Sequence, residues 1–225
     1  MRKLTLITSL ILLLLIAGCV KPIIDDQTGN GLGDSIEEDK KIDPQLLELL
    51  DKKDNVANIK YEYSRPPDDA KVYIYSVRGD KARVDLPRFN VYPKDQPKID
   101  TVYLEFDERI ATGYCEYRDI CKGIDADQPF EVAIGNYFQK TPYDWLKEIP
   151  VDKASIVGSE QIGPRTASVV EYTEGGTLIR VFIEEFYHLP LRVEVKSPLG
   201  DDYAHTYKIL DMERVKPEEV LHQQR

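Results

Sequence analysis

The chain has 225 residues, of which 42% are hydrophobic and 31% are charged, and its formal net charge is −10. This composition fits a soluble globular domain. An acidic surface is repelled by nucleic acid and by anionic lipid, so the composition argues against a DNA- or RNA-binding protein.

The first eighteen residues have the pattern of a secretory signal peptide. Arg2 and Lys3 precede an apolar run that extends from Leu4 to Gly18 and ends in small residues. This run is shorter than the roughly 20 residues that a membrane-spanning helix needs, so a permanent transmembrane anchor is the weaker interpretation. We therefore expect residues 1–18 to be a signal peptide.

The segment Ile16-Ala17-Gly18-Cys19 resembles the lipobox of prokaryotic lipoprotein signal peptides. The resemblance implies cleavage before Cys19 and attachment of a diacylglyceryl group, with acyl chains such as palmitate, to its thiol. Two acyl chains suffice for stable anchoring. The mature chain would then keep 207 of the 225 residues, and loss of Arg2 and Lys3 would lower the net charge from −10 to −12. The predicted location is the extracytoplasmic face of the cell membrane; the alternative is an ordinary secreted protein with an accidental thiol at Cys19.

Residues 19–42 follow as a predicted acidic tether. They are rich in Asp, Glu, Gly and Asn and show no sustained apolar period, which is typical of a flexible linker. A coil of this length has an end-to-end distance of roughly 25–30 Å. We expect one domain at 43–217 and a short C-terminal tail at 218–225.

The domain is predicted to begin with a short helix. Asp43 is a good N-cap and Pro44 suits the first helical position. The leucines within residues 46–50 form one apolar face, and the helix is expected to extend over about eleven residues. Glu48 and Asp51 make the opposite face acidic, so the helix should pack on the domain rather than on a membrane.

From Asn55 almost to the C-terminus the pattern is that of β-strands. "KARVDLP" alternates apolar and polar residues, as a half-buried antiparallel strand does. Gly175-Gly176 is a hairpin-turn signal, and a further turn is predicted at His188-Leu189-Pro190. One helix, Thr141–Ile149, interrupts about ten strands. Without βαβ alternation, this order predicts a mainly β (α+β) fold with a strongly curved antiparallel sheet or barrel.

Two segments resemble the lipoprotein carrier superfamily, which includes outer-membrane lipoprotein carrier and receptor proteins and mycobacterial lipid-binding lipoproteins. They are "GGTLIRVFIEEFYHLPLRVEV", Gly175–Val195, and "VGSEQIGPRTASVVEY", Val157–Tyr172. The resemblance implies an unclosed half-barrel whose concave face is covered by short helices and holds acyl chains. A third segment, "TGYCEYRDICKG", is more similar to archaeal surface lipoproteins.

Cys115 and Cys121 are the candidate disulfide pair. Exported proteins occupy compartments where disulfides persist, and a loop this short would contribute about 2–3 kcal/mol. A zinc site would need two further ligands, and the three histidines show no ligand spacing. A redox pair usually has two intervening residues rather than five. Both alternatives stay open beside the disulfide.

A lipid or amphipathic ligand in the half-barrel would contact apolar and tyrosine side chains. The candidate ligand residues are Leu46, Leu47, Leu50, Tyr73, Tyr75, Tyr103 and Trp145. Tyrosine suits a half-wet β-face, so packing at edges and rims explains the same pattern, and Trp145 can equally be a core anchor.

The sequence contains no Gly-x-Ser-x-Gly, His-Glu-x-x-His or P-loop motif. We therefore expect no enzyme, cofactor or metal, although a hydrolase with unrecognised sites is the alternative. Two functions follow. The first is a lipid-anchored protein that binds an amphipathic ligand in a groove, and the second is a structural or adhesion lipoprotein of the cell envelope that binds proteins. A cavity of several hundred Å³ beneath the first helix would favour the ligand-binding function. An interior filled by side chains would favour the structural or adhesion function.

Overall fold

Eleven antiparallel strands form one sheet in the part of the chain that the computed structural model describes, which is residues 42–65, 68–87, 98–117 and 121–223. These residues belong to a unit that extends from Lys40 to Arg225. The predicted signal peptide, Cys19 and all of the predicted tether except Ile42 lie outside the described residues, so these three remain predictions.

The strands follow one another around the sheet as two meanders that meet at the first and last strands. In chain order the strands are β1 Asn58–Arg65, β2 Asp68–Arg78, β3 Lys81–Asp85, β4 Thr101–Glu105, β5 Ile110–Tyr114, β6 Phe130–Glu131, β7 Ser155–Ile162, β8 Arg165–Glu174, β9 Thr177–Glu184, β10 Pro190–Lys196 and β11 Tyr203–Met212. Their spatial order is β6-β5-β4-β3-β2-β1-β11-β10-β9-β8-β7, and β6 and β7 are its two edges. The sheet is therefore not closed, which confirms the predicted mainly β fold with an unclosed half-barrel.

Alternate residues of each strand point to opposite faces of the sheet, and the register decides which face is the core. In the β1–β2 pair, Ile59 lies opposite Val77, Tyr61 opposite Tyr75 and Tyr63 opposite Tyr73. These side chains join the main hydrophobic core, so they define the concave face. The intervening residues of the same strands form the convex face.

The first helix, α1 (Pro44–Leu49), begins where the sequence predicts. The Asp43 carboxylate accepts a hydrogen bond from the backbone N–H of Gln45 at 2.9 Å. It has six residues rather than the expected eleven, because Leu50 leaves the helical region and a series of turns follows. Asp51, Asp54 and Asn55 occupy those turns, and such side chains favour turns over helix.

The second helix, α2 (Pro142–Glu148), lies where the sequence predicts it and has a complete capping box. Thr141 Oγ1 accepts a hydrogen bond from the backbone N–H of Asp144, and the Asp144 carboxylate accepts one from the backbone N–H of Thr141. Tyr143, Trp145 and Leu146 are buried. A short 3₁₀ helix at Ile134–Asn136 precedes α2.

Two predicted turns differ in outcome. Gly175 and Gly176 both have positive φ, 55° and 82°, as the primed hairpin turn between β8 and β9 requires. The turn expected at His188-Leu189-Pro190 instead occupies Glu185–Tyr187. Leu189 is fully buried and Pro190 is the first residue of β10, so the chain has re-entered the sheet by then.

The segment predicted as a C-terminal tail contacts the domain. A 3₁₀ helix at Pro217–Glu219 leads to the buried side chain of Val220. His222 then stacks on Tyr114 with a ring-centroid distance of 3.7 Å.

Among the described residues, no helix combines the length and the apolar character needed to cross a membrane.

Candidate functional site

A cluster of aromatic side chains covers the centre of the concave face. The rings of Tyr61 and Tyr75 are stacked, with centroids 5.3 Å apart and an interplanar angle of 3°. Tyr207 packs against Tyr61 and Tyr63 at 5.6 and 5.5 Å. These residues lie on the three adjacent strands β2, β1 and β11, where the cross-strand register brings their rings together. We call this group, with His205 and Trp145, the aromatic cluster.

Hydrogen bonds tie the aromatic cluster to the segment that carries α2. Trp145 Nε1 donates to the Tyr207 hydroxyl at 2.8 Å, and that hydroxyl donates to the carbonyl of Lys140 at 2.9 Å. The Tyr75 hydroxyl donates to the carbonyl of Tyr137 at 2.7 Å. Each bond joins a strand to the β6–β7 connection, residues 132–154, which crosses the concave face. The cluster therefore holds this connection in place.

The environment of the aromatic cluster keeps its ionisable groups neutral. Burial raises the pKa of Tyr61 and of Tyr207 well above the ordinary tyrosine value. Burial, with a smaller effect of the nearby Lys140 ammonium, lowers the pKa of His205 to about 4. The His205 imidazole is therefore uncharged at neutral pH. Its Nδ1 lies 2.7 Å from the Tyr63 hydroxyl oxygen.

One polar group in the cluster lacks a hydrogen-bond partner among the residues that the structure describes. It is the buried Tyr61 hydroxyl, whose ring stacks on Tyr75 and meets Tyr207 edge-on. Since a buried unpaired hydroxyl costs free energy, this group adds packing but no polar stabilisation.

Side chains fill the concave face around the cluster. Leu46 and Tyr61 have an exposed fraction of 0%, Leu50 2% and Trp145 4%, and all four belong to the same hydrophobic core. Each of these side chains is covered almost completely by neighbouring atoms. Leu46 and Leu50 therefore pack on the same core as Tyr61.

An open cleft of about 380 Å³ lies at one edge of the aromatic cluster. Trp145, Lys140 and Tyr203 line it, together with the carboxylates of Glu148 and Glu174. The Lys140 ammonium lies 4.4 Å from the centroid of the Trp145 ring and 2.5 Å from a Glu148 oxygen. The cleft thus combines one aromatic wall with a mixed, mainly acidic rim.

The structure brings together only some of the predicted ligand residues. Leu46, Leu50, Tyr73, Tyr75 and Trp145 all contribute to the packing of the concave face. Among them, Trp145 also lines the open cleft.

Two predicted ligand residues lie elsewhere. Leu47 projects from the outer side of α1 and is 48% exposed. Tyr103 lies on the convex face, because its cross-strand neighbour is Arg83 whereas Val84 lies opposite Tyr75. The spacing of tyrosines along a strand does not reveal this, since the face depends on the register of the whole sheet. The role of these seven residues in ligand binding stays a prediction.

Tyr103 belongs to a polar cluster on the convex face that holds the end of the chain. Its hydroxyl donates to Glu116 at 2.9 Å, and Arg83 contacts both the Tyr103 hydroxyl and the Glu116 carboxylate. The two ring nitrogens of His222 lie 2.9 Å from Glu116 and 3.2 Å from Asp127. The cluster therefore links β3, β4 and the C-terminal residues.

Cys115 and Cys121 form a disulfide, as predicted, with their Cα atoms 5.4 Å apart. The neighbouring Asp100 is buried, and its carboxylate accepts backbone hydrogen bonds from Glu116 and Tyr117 at 2.9 and 2.7 Å. Asp100 and the two cysteines are the one group of metal-type ligands that comes together in the described part of the chain. The closed disulfide removes the two thiolates that a metal would need.

Sequence reasoning missed several members of the site. Tyr203, His205 and Tyr207 recur at period two in "YAHTYKIL" and point to one face of β11. This alternation was a usable signal for an aromatic face on the last strand. The contribution of Lys140 depends on how the connection folds back, which no local pattern indicates.

No protein-family model matches the sequence, and no curated protein matches it. Solved structures that are similar include the MucA/MucB complex of Pseudomonas aeruginosa, with 13% identity over 80% of this chain and 60% of that chain and a TM-score of 0.40. LppX, a lipoprotein of Mycobacterium tuberculosis, has 13% identity over 77% of this chain and 100% of that chain, with a TM-score of 0.42.

A LolA superfamily protein of Nitrosomonas europaea has 12% identity over 70% of this chain and 73% of that chain, with a TM-score of 0.28. The chain spans about 62% of the length of MucB. A mycobacterial lipoprotein and a LolA superfamily protein thus occur among the similar structures. Similarities this low do not assign the chain to a family or a function.

Proposed function

We propose that this chain is a lipid-anchored protein of the extracytoplasmic face of the cell membrane and that its domain works by protein–protein contact rather than by catalysis. Cys19, at the end of the lipobox-like segment, is the proposed site of acylation. The partner would bind the outer surface of the half-barrel.

The observation that carries the proposal is the packing of the concave face. A carrier of acyl chains needs an open apolar groove, whereas the described side chains on this face pack into one core, with exposed fractions of 0–4% for Leu46, Tyr75 and Trp145. Hydrogen bonds from Tyr75 and Tyr207 also hold the connection before α2 across this face. Opening a groove would break those bonds and expose several aromatic rings, which is costly.

Position-specific photo-crosslinking in intact cells tests the proposal. A photoreactive residue replaces Phe186 in the β9–β10 turn, Leu199 in the β10–β11 turn or Leu210 on the convex face, all of which are exposed. We expect a discrete protein adduct from at least one position. The matched control is the buried Ile183, which should give none. Absence of any protein adduct from all three exposed positions would contradict the proposal.

The open cleft beside Trp145 favours a second candidate function, binding of a small amphipathic ligand. Its volume of about 380 Å³ is within the range of small-molecule sites. Trp145 is the one tryptophan of the chain, so its fluorescence reports directly on this cleft. Titration with a monomeric lysophospholipid should shift the emission if the cleft binds it, and Tyr203→Ala should weaken that response. An unchanged emission spectrum would exclude this class of ligand.

A further inference from the structure

A second open cleft, of about 250 Å³, lies between β8, the β9–β10 turn and β11. It is lined by Arg165 at the start of β8, Tyr187 in the turn and the last residues of β11, with Arg214 just beyond that strand. A hydrogen bond from the backbone N–H of Glu185 to the carbonyl of Thr166, at 3.2 Å, holds the turn against β8. We call this space the arginine cleft.

Arg165 is a half-buried arginine without a carboxylate partner. Three other strand arginines are half-buried in the described part of the chain, and each has a carboxylate oxygen at 2.7–2.8 Å: Arg83, Arg180 and Arg192. No described residue forms an ion pair with Arg165 or accepts a hydrogen bond from it, and its Nη1 is shielded from solvent. A shielded guanidinium nitrogen without an acceptor costs free energy. An anion beside the guanidinium group would offset this cost.

Tyr187 restricts the position of the Arg165 guanidinium group. The Arg165 Cζ lies over the Tyr187 ring, 4.9 Å from its centroid, and a cation is attracted to an aromatic ring at this distance. In a guanidinium group, Nε and Nη2 form one edge whose two N–H groups match the two oxygens of a carboxylate. The arginine cleft therefore offers a positioned group of donors that suits a carboxylate.

The other residues of the arginine cleft indicate the class of anion. Arg214 adds a second guanidinium group, which is 82% exposed, and Asp211 adds one carboxylate, 3.9 Å from the Arg214 Nε. Two positive charges against one negative charge favour a monoanion over a phosphate dianion. Ile209, Leu210 and Met212 add apolar side chains to the wall. The lining thus suits a carboxylate that carries a short apolar group.

We propose that the arginine cleft binds a carboxylate with a short apolar substituent and that Arg165 is its main contact. A volume of about 250 Å³ holds such a group but is too small for a long acyl chain. The carboxylate belongs either to a free acid or to the C-terminal residue of a polypeptide, which present the same chemistry. The inference does not depend on the proposed function, because a free acid would bind the cleft without any protein contact.

Nitrogen–proton NMR spectra of the full-length Cys19→Ser chain test the proposal. The probes are isocaproate and the peptide N-acetyl-Ala-Leu, and the C-terminal amide of that peptide is the uncharged control. We expect both carboxylates, but not the amide, to shift the Arg165 Nε–H signal and the Leu210 backbone signal. Tighter binding of the peptide would identify a polypeptide end as the source, and tighter binding of isocaproate a free acid.

Substitutions separate binding from folding. Arg165→Gln should weaken the binding of both carboxylates about tenfold, as followed on the Leu210 backbone signal. Arg180→Gln removes an equal charge outside the cleft, so this matched control should bind as the wild type does. Leu210 is 42% exposed and tolerates polar residues. Leu210→Asp adds a carboxylate to the cleft and should bind the probes more weakly than Leu210→Asn does.

Three results would overturn the proposal. The first is unchanged binding of both carboxylates in Arg165→Gln. The second is binding of inorganic phosphate as tight as that of isocaproate. The third is the absence of any shift with either carboxylate at about 10 mM, which corresponds to a negligible affinity.

Discussion

At the residue scale, Tyr207 and Tyr61 form a natural pair for a stability test, because both are buried on the concave face but differ in hydrogen bonding. The Tyr207 hydroxyl accepts from Trp145 and donates to the Lys140 carbonyl, whereas the Tyr61 hydroxyl has no partner in the described part of the chain. Tyr207→Phe should lower the free energy of unfolding by about 1–3 kcal/mol, since it leaves two buried polar groups unpaired.

Tyr61→Phe is the matched control for this prediction, and it should be neutral or slightly stabilising. Urea unfolding followed by circular dichroism measures both variants. Equal losses of stability in the two variants would contradict the difference in hydrogen bonding between the Tyr207 and Tyr61 hydroxyls.

His205 makes stability depend on pH. Its pKa is lowered from 6.5 to about 4 by burial and by Lys140, so the unfolded chain binds a proton more tightly than the folded chain does. The free energy of unfolding that the neutral His205 side chain contributes is fully present above about pH 6.5. It is lost as the pH falls toward 4. Allowing for the partial exposure of the ring, we expect a loss of about 1–2 kcal/mol. His205→Gln should lack this pH-dependent loss of stability. The measured quantity is therefore the difference between wild type and variant in the free energy of unfolding as a function of pH. Parallel curves for the two proteins would contradict the prediction.

At the scale of elements, the cap of α2 decides how firmly the connection crosses the concave face. Thr141 and Asp144 satisfy each other's backbone N–H groups at the start of the helix. Thr141→Ala removes half of this arrangement and should cost about 1 kcal/mol. Thr141→Ser keeps the hydroxyl and should restore most of the stability. Thermal unfolding compares the midpoint temperatures of the two variants. Equally low midpoints for Thr141→Ser and Thr141→Ala would assign the loss of stability to the threonine methyl group instead of the hydroxyl.

The disulfide is the other element-scale test. Reduction of Cys115–Cys121 opens a loop of seven residues, counted with both cysteines, and should cost about 2–3 kcal/mol. Mass spectrometry after alkylation, with and without reductant, measures the bond directly. Identical masses in the two samples would refute it.

The elements that the sequence predicts well are those with local signals. Asp43-Pro44 and Thr141-Pro142 mark the two helix starts, and Gly175-Gly176 marks a hairpin turn, because capping and positive φ depend on a few adjacent residues. The aromatic cluster was not predicted as a unit. Its members come from β1, β2, β11 and α2, and the register that joins distant strands has no local signal. Tyr103 shows the same limit, since its face follows from pairing with Arg83.

At the scale of the whole molecule, the proposed location of the protein depends on acylation of Cys19. If it is acylated, the wild-type chain should sediment with the membrane fraction, and Cys19→Ser should appear in the soluble extracytoplasmic fraction. Cys115→Ser with Cys121→Ser is the control, because it removes the other two cysteines and should leave the chain in the membrane fraction. A Cys19→Ser chain that still sediments with membranes would refute lipid anchoring through this residue.

The central proposal is that the described residues of the concave face form a packed interior and that the domain holds no acyl cargo. The filled core around Leu46, Tyr61 and Trp145 supports it, and native mass spectrometry of the protein purified from its host tests it most directly. The claim predicts a mass equal to that of the chain with its anchor, both before and after organic extraction. A lipid bound at one per chain and removed by the extraction would contradict it and restore the carrier hypothesis.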